Sequence, residues 1–387
     1  MKIDICHVYP ITSGTAGTYM DSIYKALKND FSEEIFVNYY YPYNYGKKVF
    51  YKYSDLCADY KFLKRHNFIR RIIRFFEMLK GLYKVYRYIK QNNVSILNYS
   101  LNSDLKIEYL FLKLVKLRET KIAITCHDVL PFGVSLENIR NSYQLKNKKR
   151  FFQLADYLIV HNENSIKELQ CYFGIQGNRV ILSPFPVMDI KAFDKEGYLP
   201  KIINNAISNQ TFIVSMIGYF RKEKGLDILI KGWQMFTPTC PNALLIIAGH
   251  FPNKLEAEKI GTIPQVIVHE GFLNDNAYTE LIKKSDVIVM PYIRGTNSGI
   301  PSSILSMDTI VLTSDIDMFK TNPLISEQLM FKTNNSKDLA SKLMALYKCT
   351  NNDIQEIKQK NKMKLETYIH TFKKDLISSY KKMIDKP

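Results

Sequence analysis

The chain contains no C-x-x-C pair: its six cysteines, Cys6, Cys57, Cys126, Cys171, Cys240 and Cys349, lie far apart. Cys6 and Cys126 fall inside apolar, strand-like runs, so free thiols in a reducing cytosol are expected rather than disulfides. No uninterrupted apolar run approaches the ~20 residues of a membrane-spanning helix. The opening M-K-I-D-I-C-H-V-Y-P carries Asp4 where a signal peptide would be apolar. The fingerprint G-x-G-x-x-G and the phosphate loop G-x-x-x-x-G-K-[ST] are both missing, which disfavours a nicotinamide enzyme or an ordinary nucleotide hydrolase. Zinc-ligand spacing and an RNA-binding aromatic motif are missing too, so nucleic acid is not an expected partner. Acidic residues are scarce in one stretch: residues 61–90 hold ten Lys and Arg against the single Glu77.

The rest of the composition is that of a globular protein, with 46% hydrophobic and 24% charged residues in 387. That length suits two domains. The net charge of +17 is uneven, thirty Lys and Arg facing eighteen Asp and Glu through Lys195. A basic balance of this kind implies an anionic partner: lipid, nucleic acid or a phosphorylated substrate.

Apolar runs alternate with helical patterns along the chain. The expected strands are Ile3–Tyr9, Glu34–Tyr40, Val94–Asn98, Lys121–Cys126, Tyr157–Val160 and Arg179–Leu182, then Thr211–Ile217, Ala243–Ala248, Gln265–His269, Asp286–Met290 and Thr309–Thr313. Most pairs leave room for a helix between them, which predicts α/β architecture with parallel, doubly wound sheets. Ser183–Gln210, holding Pro184, Pro186, Gly197 and Pro200, reads as an interdomain linker, and the tail from Ser336 reads as helices.

One loop points to chemistry. After the run Phe212–Ile217, residues Gly218 to Gly225 read G-Y-F-R-K-E-K-G and lead into a helical pattern from Leu226. A strand ending in glycine, the cations Arg221 and Lys224, and a helix start together form a phosphate cradle: helix N–H groups and fixed charges attract an anion. Gly14 and Gly17 in S-G-T-A-G-T follow the first strand, where backbone can approach a ligand closely or simply turn. His127 and Asp128, in T-C-H-D-V-L-P, sit at a strand's carboxyl end, where an imidazole could hold a sugar hydroxyl and a carboxylate orient it, or both could cap the next segment. His7 and His161 also end strands and read as wall residues. In P-Y-I-R-G-T-N-S-G-I-P, Thr296, Asn297, Ser298 and Gly299 stand where a helix starts and offer N–H groups and hydroxyls to a diphosphate or sugar, or a plain N-cap. Asp315 and Asp317 form D-x-D without a third clear ligand, so no metal is expected there.

Over residues 68–90 a helical wheel sets Phe68, Ile72, Phe75, Phe76, Leu79, Leu82, Tyr83, Tyr86 and Ile89 on one side and Arg70, Arg74, Lys80, Lys84 and Arg87 on the other. The apolar side can lie on a sheet while the basic face is solvated or meets anionic lipid, or it can itself enter a membrane; one face cannot serve both sheet and membrane.

Taken together, the chain resembles a GT-B glycosyltransferase, most similar to glycosyltransferase family four, the retaining nucleotide-sugar enzymes. The resemblance covers essentially the whole chain. It rests on G-Y-F-R-K-E-K-G-L-D-I-L-I, on L-L-I-I-A-G-H ending at Gly249, on A-D-Y-L-I-V-H-N-E-N and on S-D-V-I-V-M-P-Y. It implies two Rossmann-like domains facing across a cleft: an acceptor-binding domain over 1–185, a linker over 186–210 and a nucleotide-sugar domain over 211–365. A last helix over 366–387 packs back toward the first domain. It implies that Gly14, Gly17, Gly218, Arg221, Lys224, Gly249, Asn297, Ser298 and Gly299 bind the donor, with His127, Arg221 and Lys224 catalytic. Metal and cofactor are not expected. The implied donor is a UDP- or GDP-sugar. The implied acceptor is a glycan or lipid-linked oligosaccharide of bacterial surface polysaccharide (capsule, O-antigen or exopolysaccharide), handled in the cytoplasm or at the inner face of the membrane. The family's usual E-x-F-G and second Glu are replaced by T-N-S-G-I-P-S-S-I, with Thr296 and Ile304 at the two places and Ser298-Gly299 resembling an S-G variant branch. Without those glutamates the alternative is a catalytically inactive sugar-nucleotide-binding protein of the same fold.

Overall fold

The structure, a computed structural model, describes residues 2–10, 16–37, 50–52, 67–101, 105–130, 139, 142–188, 198–207, 212–295 and 299–385. The chain divides into two compact units, residues 1–186 with 371–387, and residues 187–370.

In the first unit the strands are β1 (Lys2–Tyr9), β2 (Glu33–Val37), β3 (Phe50–Lys52), β4 (Asn93–Ser100), β5 (Lys121–Thr125), β6 (Tyr157–Val160) and β7 (Val180–Leu182). They form one sheet in the order 3-2-1-4-5-6-7, every pairing parallel. The second unit holds β8 (Phe212–Tyr219), β9 (Ala243–His250), β10 (Val266–Glu270), β11 (Val287–Met290), β12 (Ile310–Ser314) and β13 (Met330–Phe331). Their order, 10-9-8-11-12-13, is the same Rossmann sequence of strands, again all parallel. Strands such as Tyr157–Val160 and Val287–Met290 are buried at every position, as a parallel sheet covered on both faces requires.

The expected strands recur within a residue or two at most ends; residues 38–40 and 211 lie outside the described set. Two short edge strands, β3 and β13, had no signal, because two or three residues carry no periodicity. The proposed linker stretch contains a helix, Lys201–Ile207, whose Ile203 is fully buried against β8 and β9 residues such as Ile213 and Leu244. Asn and Ser side chains open helices by accepting from N3 amides, Asn274 from Ala277 and Asn335 from Asp338 among them.

The long helix Asn351–Asp385 contributes to both cores. Leu365 and Tyr368 pack within the second unit, and Phe372, Leu376, Tyr380 and Met383 are buried at helical spacing in the first. Its end is pinned to the first sheet. Asn98 Nδ2 donates to the Tyr380 hydroxyl at 2.7 Å, and Lys121 Nζ donates to the terminal carbonyls of Met383 and Ile384 at 3.1 and 3.2 Å. Asn98 also accepts from Thr125 and donates to His7 Nδ1, so His7 carries its proton on Nε2 and donates to Glu33 at 3.0 Å. Burial raises the Glu33 pKa, against the opposing pull of His7. The expected role of His7 as a wall residue becomes a structural one inside this buried network.

Among the described residues no helix is long and apolar enough to cross a membrane.

Candidate donor-diphosphate and imidazole sites

In the second unit, β8 and β9 lie so close at their carboxyl ends that a side chain does not fit at Gly249. Gly218 pairs with Gly249, at φ 145° and 152°, and a Cβ on Gly249 would stand 1.8 Å from the Gly218 carbonyl oxygen. Arg221 then leads into the 3₁₀ turn Lys222–Lys224, which ends at Gly225 in the left-handed region, φ 68°, where the helix Leu226–Phe236 begins. A Cβ on Gly225 would fall 1.9 Å from the Pro291 carbonyl oxygen, so only glycine lets the turn seat on the end of β11. The seat is held by the Ile293 amide donating to the Glu223 carbonyl at 2.8 Å.

This seating sets the electrostatics. The Lys224 ammonium lies 3.6 Å from the centroid of the Tyr292 ring, half-buried, while the exposed Arg221 guanidinium covers Tyr219 at 5.0 Å. Burial first, and repulsion by Arg221 second, lower the Lys224 pKa to about 8, against the partial compensation of Glu223. Two cations are therefore held together at a helix start at a cost that an arriving polyanion would relieve.

Beside them stands a group that sequence reasoning missed. His250, at the end of β9, meets Glu270 at 3.3 Å, lies 5.0 Å from the Tyr219 ring and stacks on Phe272 at 5.8 Å. Tyr219 and Phe272 are both exposed. The signal in the sequence is the aromatic or imidazole residue that follows a glycine at the end of three successive strands, Tyr219, His250 and Phe272. The Glu270 carboxylate is engaged by His250.

At the next expected site, Gly299 caps the short helix Ile300–Leu305, and its carbonyl accepts from the hydroxyls of Ser302 and Ser303. Asn297, Ser298 and Thr296 lie outside the described residues. Ile304 is fully buried in an apolar cluster with Met290, Tyr292 and Phe319, so the position where the family has its second Glu is core here. In the D-x-D pair, Asp315 accepts from the Thr333 amide and hydroxyl and pairs with Lys320, and the Thr333 bonds hold its pKa below the usual carboxylate range.

In the first unit, the helix Ala16–Leu27 includes Gly17; Gly14 lies outside the described residues. His127 stacks on Tyr9, centroids 5.1 Å apart and 11° from parallel, and meets Tyr19 edge-on at 4.9 Å. Its Nδ1 lies 3.3 Å from Nε2 of His161, whose own Nδ1 lies 2.8 Å from the Ser183 carbonyl oxygen. A carbonyl only accepts, so His161 carries its proton on Nδ1 and offers Nε2 as acceptor; His127 must then carry its proton on Nδ1 and a lone pair on Nε2. Burial lowers both pKa values, that of His161 to about 4 and that of His127 well below its ordinary range, with the neighbouring imidazole adding to the latter. The imidazole at this strand end is thus oriented by His161, which the sequence reading treated as a wall residue.

The basic helix Asn67–Gln91 divides along its length. Leu82, Val85 and Ile89 are buried in the first core, whereas Phe68, Ile72, Phe75, Phe76 and Tyr83 are exposed. The conflict between sheet and solvent for one apolar face is settled by giving each a different part of the helix. Arg74, Lys80 and Arg87 are exposed; Arg70 and Lys84 are half-buried.

Two Rossmann-type sheets of this order are the GT-B architecture. Residues 201–364 match the glycosyl transferases group 1 family, and residues 15–181 match the glucosyltransferase 3-like N-terminal domain. The chain is thus a GT-B protein carrying a glycosyl transferases group 1 domain. It is 23% identical over 271 residues to an uncharacterized glycosyltransferase of Methanocaldococcus jannaschii, a match that spans 64% of this chain and 61% of that relative. Anabaena HepE, solved in complex with UDP and glucose, superposes with a TM-score of 0.69 at 12% identity over 98% of this chain and 100% of that one. A UDP-forming alpha,alpha-trehalose-phosphate synthase from Burkholderia vietnamiensis does so with 0.68 at 11% identity over 99% of each. At these identities the superpositions speak for the fold.

Proposed function

We propose that the protein is a glycosyltransferase that takes a sugar from a nucleotide diphosphate sugar, with Arg221 and Lys224 holding the departing diphosphate. The observation that carries this reading is the pair of cations crowded at one helix start, with Lys224 depressed to about 8. In the reaction the bond between the anomeric carbon and the diphosphate oxygen breaks, and an acceptor oxygen bonds to that carbon and gives up its proton. Negative charge grows on the leaving group as it departs, so fixed cations and N–H dipoles stabilise the transition state more than the bound donor. Arg221 and Lys224 take the charge-neutralising role that a metal plays elsewhere, which makes transfer metal-independent, and no cofactor enters. Gly218 and Gly249 let the donor approach the backbone, and the exposed Tyr219 and Phe272 offer faces on which a base can stack. Gly14, Gly17, Asn297, Ser298 and Gly299 remain the proposed further donor contacts, and His127 is assigned to a sugar hydroxyl, which its Nε2 lone pair would accept.

The finer reading is a retaining enzyme that uses a UDP- or GDP-sugar and a glycan or lipid-linked acceptor in bacterial surface polysaccharide assembly. It would work in the cytoplasm, at an anionic membrane surface met by Arg70, Arg74, Lys80, Lys84 and Arg87. The UDP held by HepE supports the donor class.

The test is thermal stabilisation of the purified protein by a panel of nucleotide sugars, followed by release of the nucleotide diphosphate with an acceptor panel and excess chelator. Stabilisation by none of the panel overturns the reading. The buried Ile304 favours a second one, a protein that binds donor without transferring it; stabilisation with neither transfer nor donor hydrolysis selects that one. Chelator-sensitive transfer restored by a divalent ion removes the metal-independent part.

A further inference from the structure

Between Phe68 and Lys80 the Asn67–Gln91 helix buries one side chain, and it is the wrong kind for a core: Glu77, the segment's single acidic residue. Ile73, Met78 and Leu79 are half-buried, and five large apolar residues are turned out. Phe68 is 76% and Phe76 63% exposed, with Ile69, Ile72 and Phe75 also exposed and the Phe75 and Phe76 rings in edge contact at 6.0 Å. Arg71, Arg74 and Lys80 are exposed among them. The surface of this half-helix is therefore apolar and cationic, its carboxylate withdrawn.

We propose that this half-helix is an interfacial membrane anchor: its Phe and Ile side chains enter the acyl boundary of an anionic bilayer while its arginines bind lipid phosphates. Charge complementarity selects this occupant. In a twofold contact with a second copy, Arg70, Arg71 and Arg74 would face their own kind with no exposed acidic residue on the segment to pair them. A nucleic acid would neutralise the cations but leave Phe68, Phe75 and Phe76 in water. An anionic bilayer satisfies both at once. The segment from Phe68 to Lys80 is ~20 Å long at 1.5 Å per residue, so it lies in the interface rather than spanning it. The sheet-bound half, through Leu82, Val85 and Ile89, transmits that attachment to the first unit. This deepens the membrane part of the proposed function by naming the side chains that insert.

The experiment uses the full chain and vesicles of phosphatidylcholine, alone or with about 30% phosphatidylglycerol. Trp233, the only tryptophan, is buried, so Phe75→Trp adds a distinct reporter. Co-sedimentation with the anionic vesicles is expected, and Phe75→Trp emission shifts to the blue and is quenched by brominated acyl chains. Replacing Phe68, Phe75 and Phe76 together with Ser weakens vesicle binding by at least about tenfold while far-UV circular dichroism is unchanged. Binding unaffected by the Ser replacements, or bound protein whose Phe75→Trp emission does not move, overturns insertion even if charge reversal of the arginines shows that head groups are met. A wild-type dimer in sedimentation velocity that the Ser variant converts to monomer overturns it in favour of self-association. Donor stabilisation, measured without vesicles, separates failure here from failure of the sugar-transfer reading.

Discussion

The Lys224 ammonium rests 3.6 Å from the centroid of the Tyr292 ring, its pKa lowered to about 8 by burial first and by the neighbouring Arg221 second. Replacing either cation with Ala is expected to lower kcat by about 10²–10³, the usual cost of removing one fixed donor from a developing anion. The fold should survive the Arg221 replacement, since Arg221 is exposed. Steady-state kinetics beside a thermal melt check this; wild-type turnover in both variants removes the pair from the mechanism.

The same depressed pKa has a proton signature. Between about 8 and the ordinary 10.5, folded protein binds fewer protons at Lys224 than unfolded protein does, so this group's contribution to stability rises with pH across that window. A bound diphosphate favours the charged form, so nucleotide binding near pH 8 should take up a proton and weaken as pH rises further. Calorimetry in two buffers of different ionisation enthalpy measures the uptake; equal heats in both would contradict it.

His127 and His161 predict the opposite end of the pH scale. Their folded pKa values are depressed, His161 to about 4, so their contribution is fully present above the unfolded value near 6.5 and is lost as pH falls toward 4. Nitrogen NMR of the imidazoles should show the proton on Nδ1 in both rings. His161→Ala should release the His127 tautomer and cost about 1–3 kcal/mol, as for other buried hydrogen-bonding groups. An unchanged His127 spectrum in that variant would refute the relay.

Gly225→Ala should be among the most damaging single-methyl changes in the second unit. It combines a left-handed backbone, worth about 1–2 kcal/mol for an L-residue, with a Cβ 1.9 Å from the Pro291 oxygen. A lowered melting temperature together with lost nucleotide stabilisation is expected, because the same turn seats Lys224. A variant that melts normally and binds nucleotide would show that the turn can shift without cost.

Tyr380→Phe removes the hydroxyl that Asn98 holds at 2.7 Å. Hydrogen exchange over residues 371–385 should accelerate, with a stability loss of about 1–3 kcal/mol from the buried amide left behind. Unaltered exchange there would mean that Phe372, Leu376 and Met383 anchor the helix by themselves.

Much of this was legible in the chain because the signals are local. Continuous apolar runs such as Tyr157–Val160 identify buried parallel strands, and the glycines and cations of Gly218–Gly225 stand within eight residues of one another. What escaped was either too short to carry a period, like β3 and β13, or assembled from afar. His161 reaches His127 across 34 residues, and Asn98 reaches Tyr380 across 282. No spacing rule connects such pairs, since each depends on which strands become neighbours.

By itself, then, the sequence determined the parallel α/β pattern, the glycine-and-cation loop Gly218–Gly225 and the amphipathic character of residues 68–90, all set by periodicity and composition within a few turns of chain. Tertiary structure alone decided the rest. It buried Lys224 against Tyr292 and so lowered its pKa, set His127 Nδ1 against His161 Nε2, and made Ile304 core. It also spent only the second half of the basic helix on the sheet. Burial and desolvation are properties of the packed neighbourhood, and the chain acquires that neighbourhood only when distant segments meet.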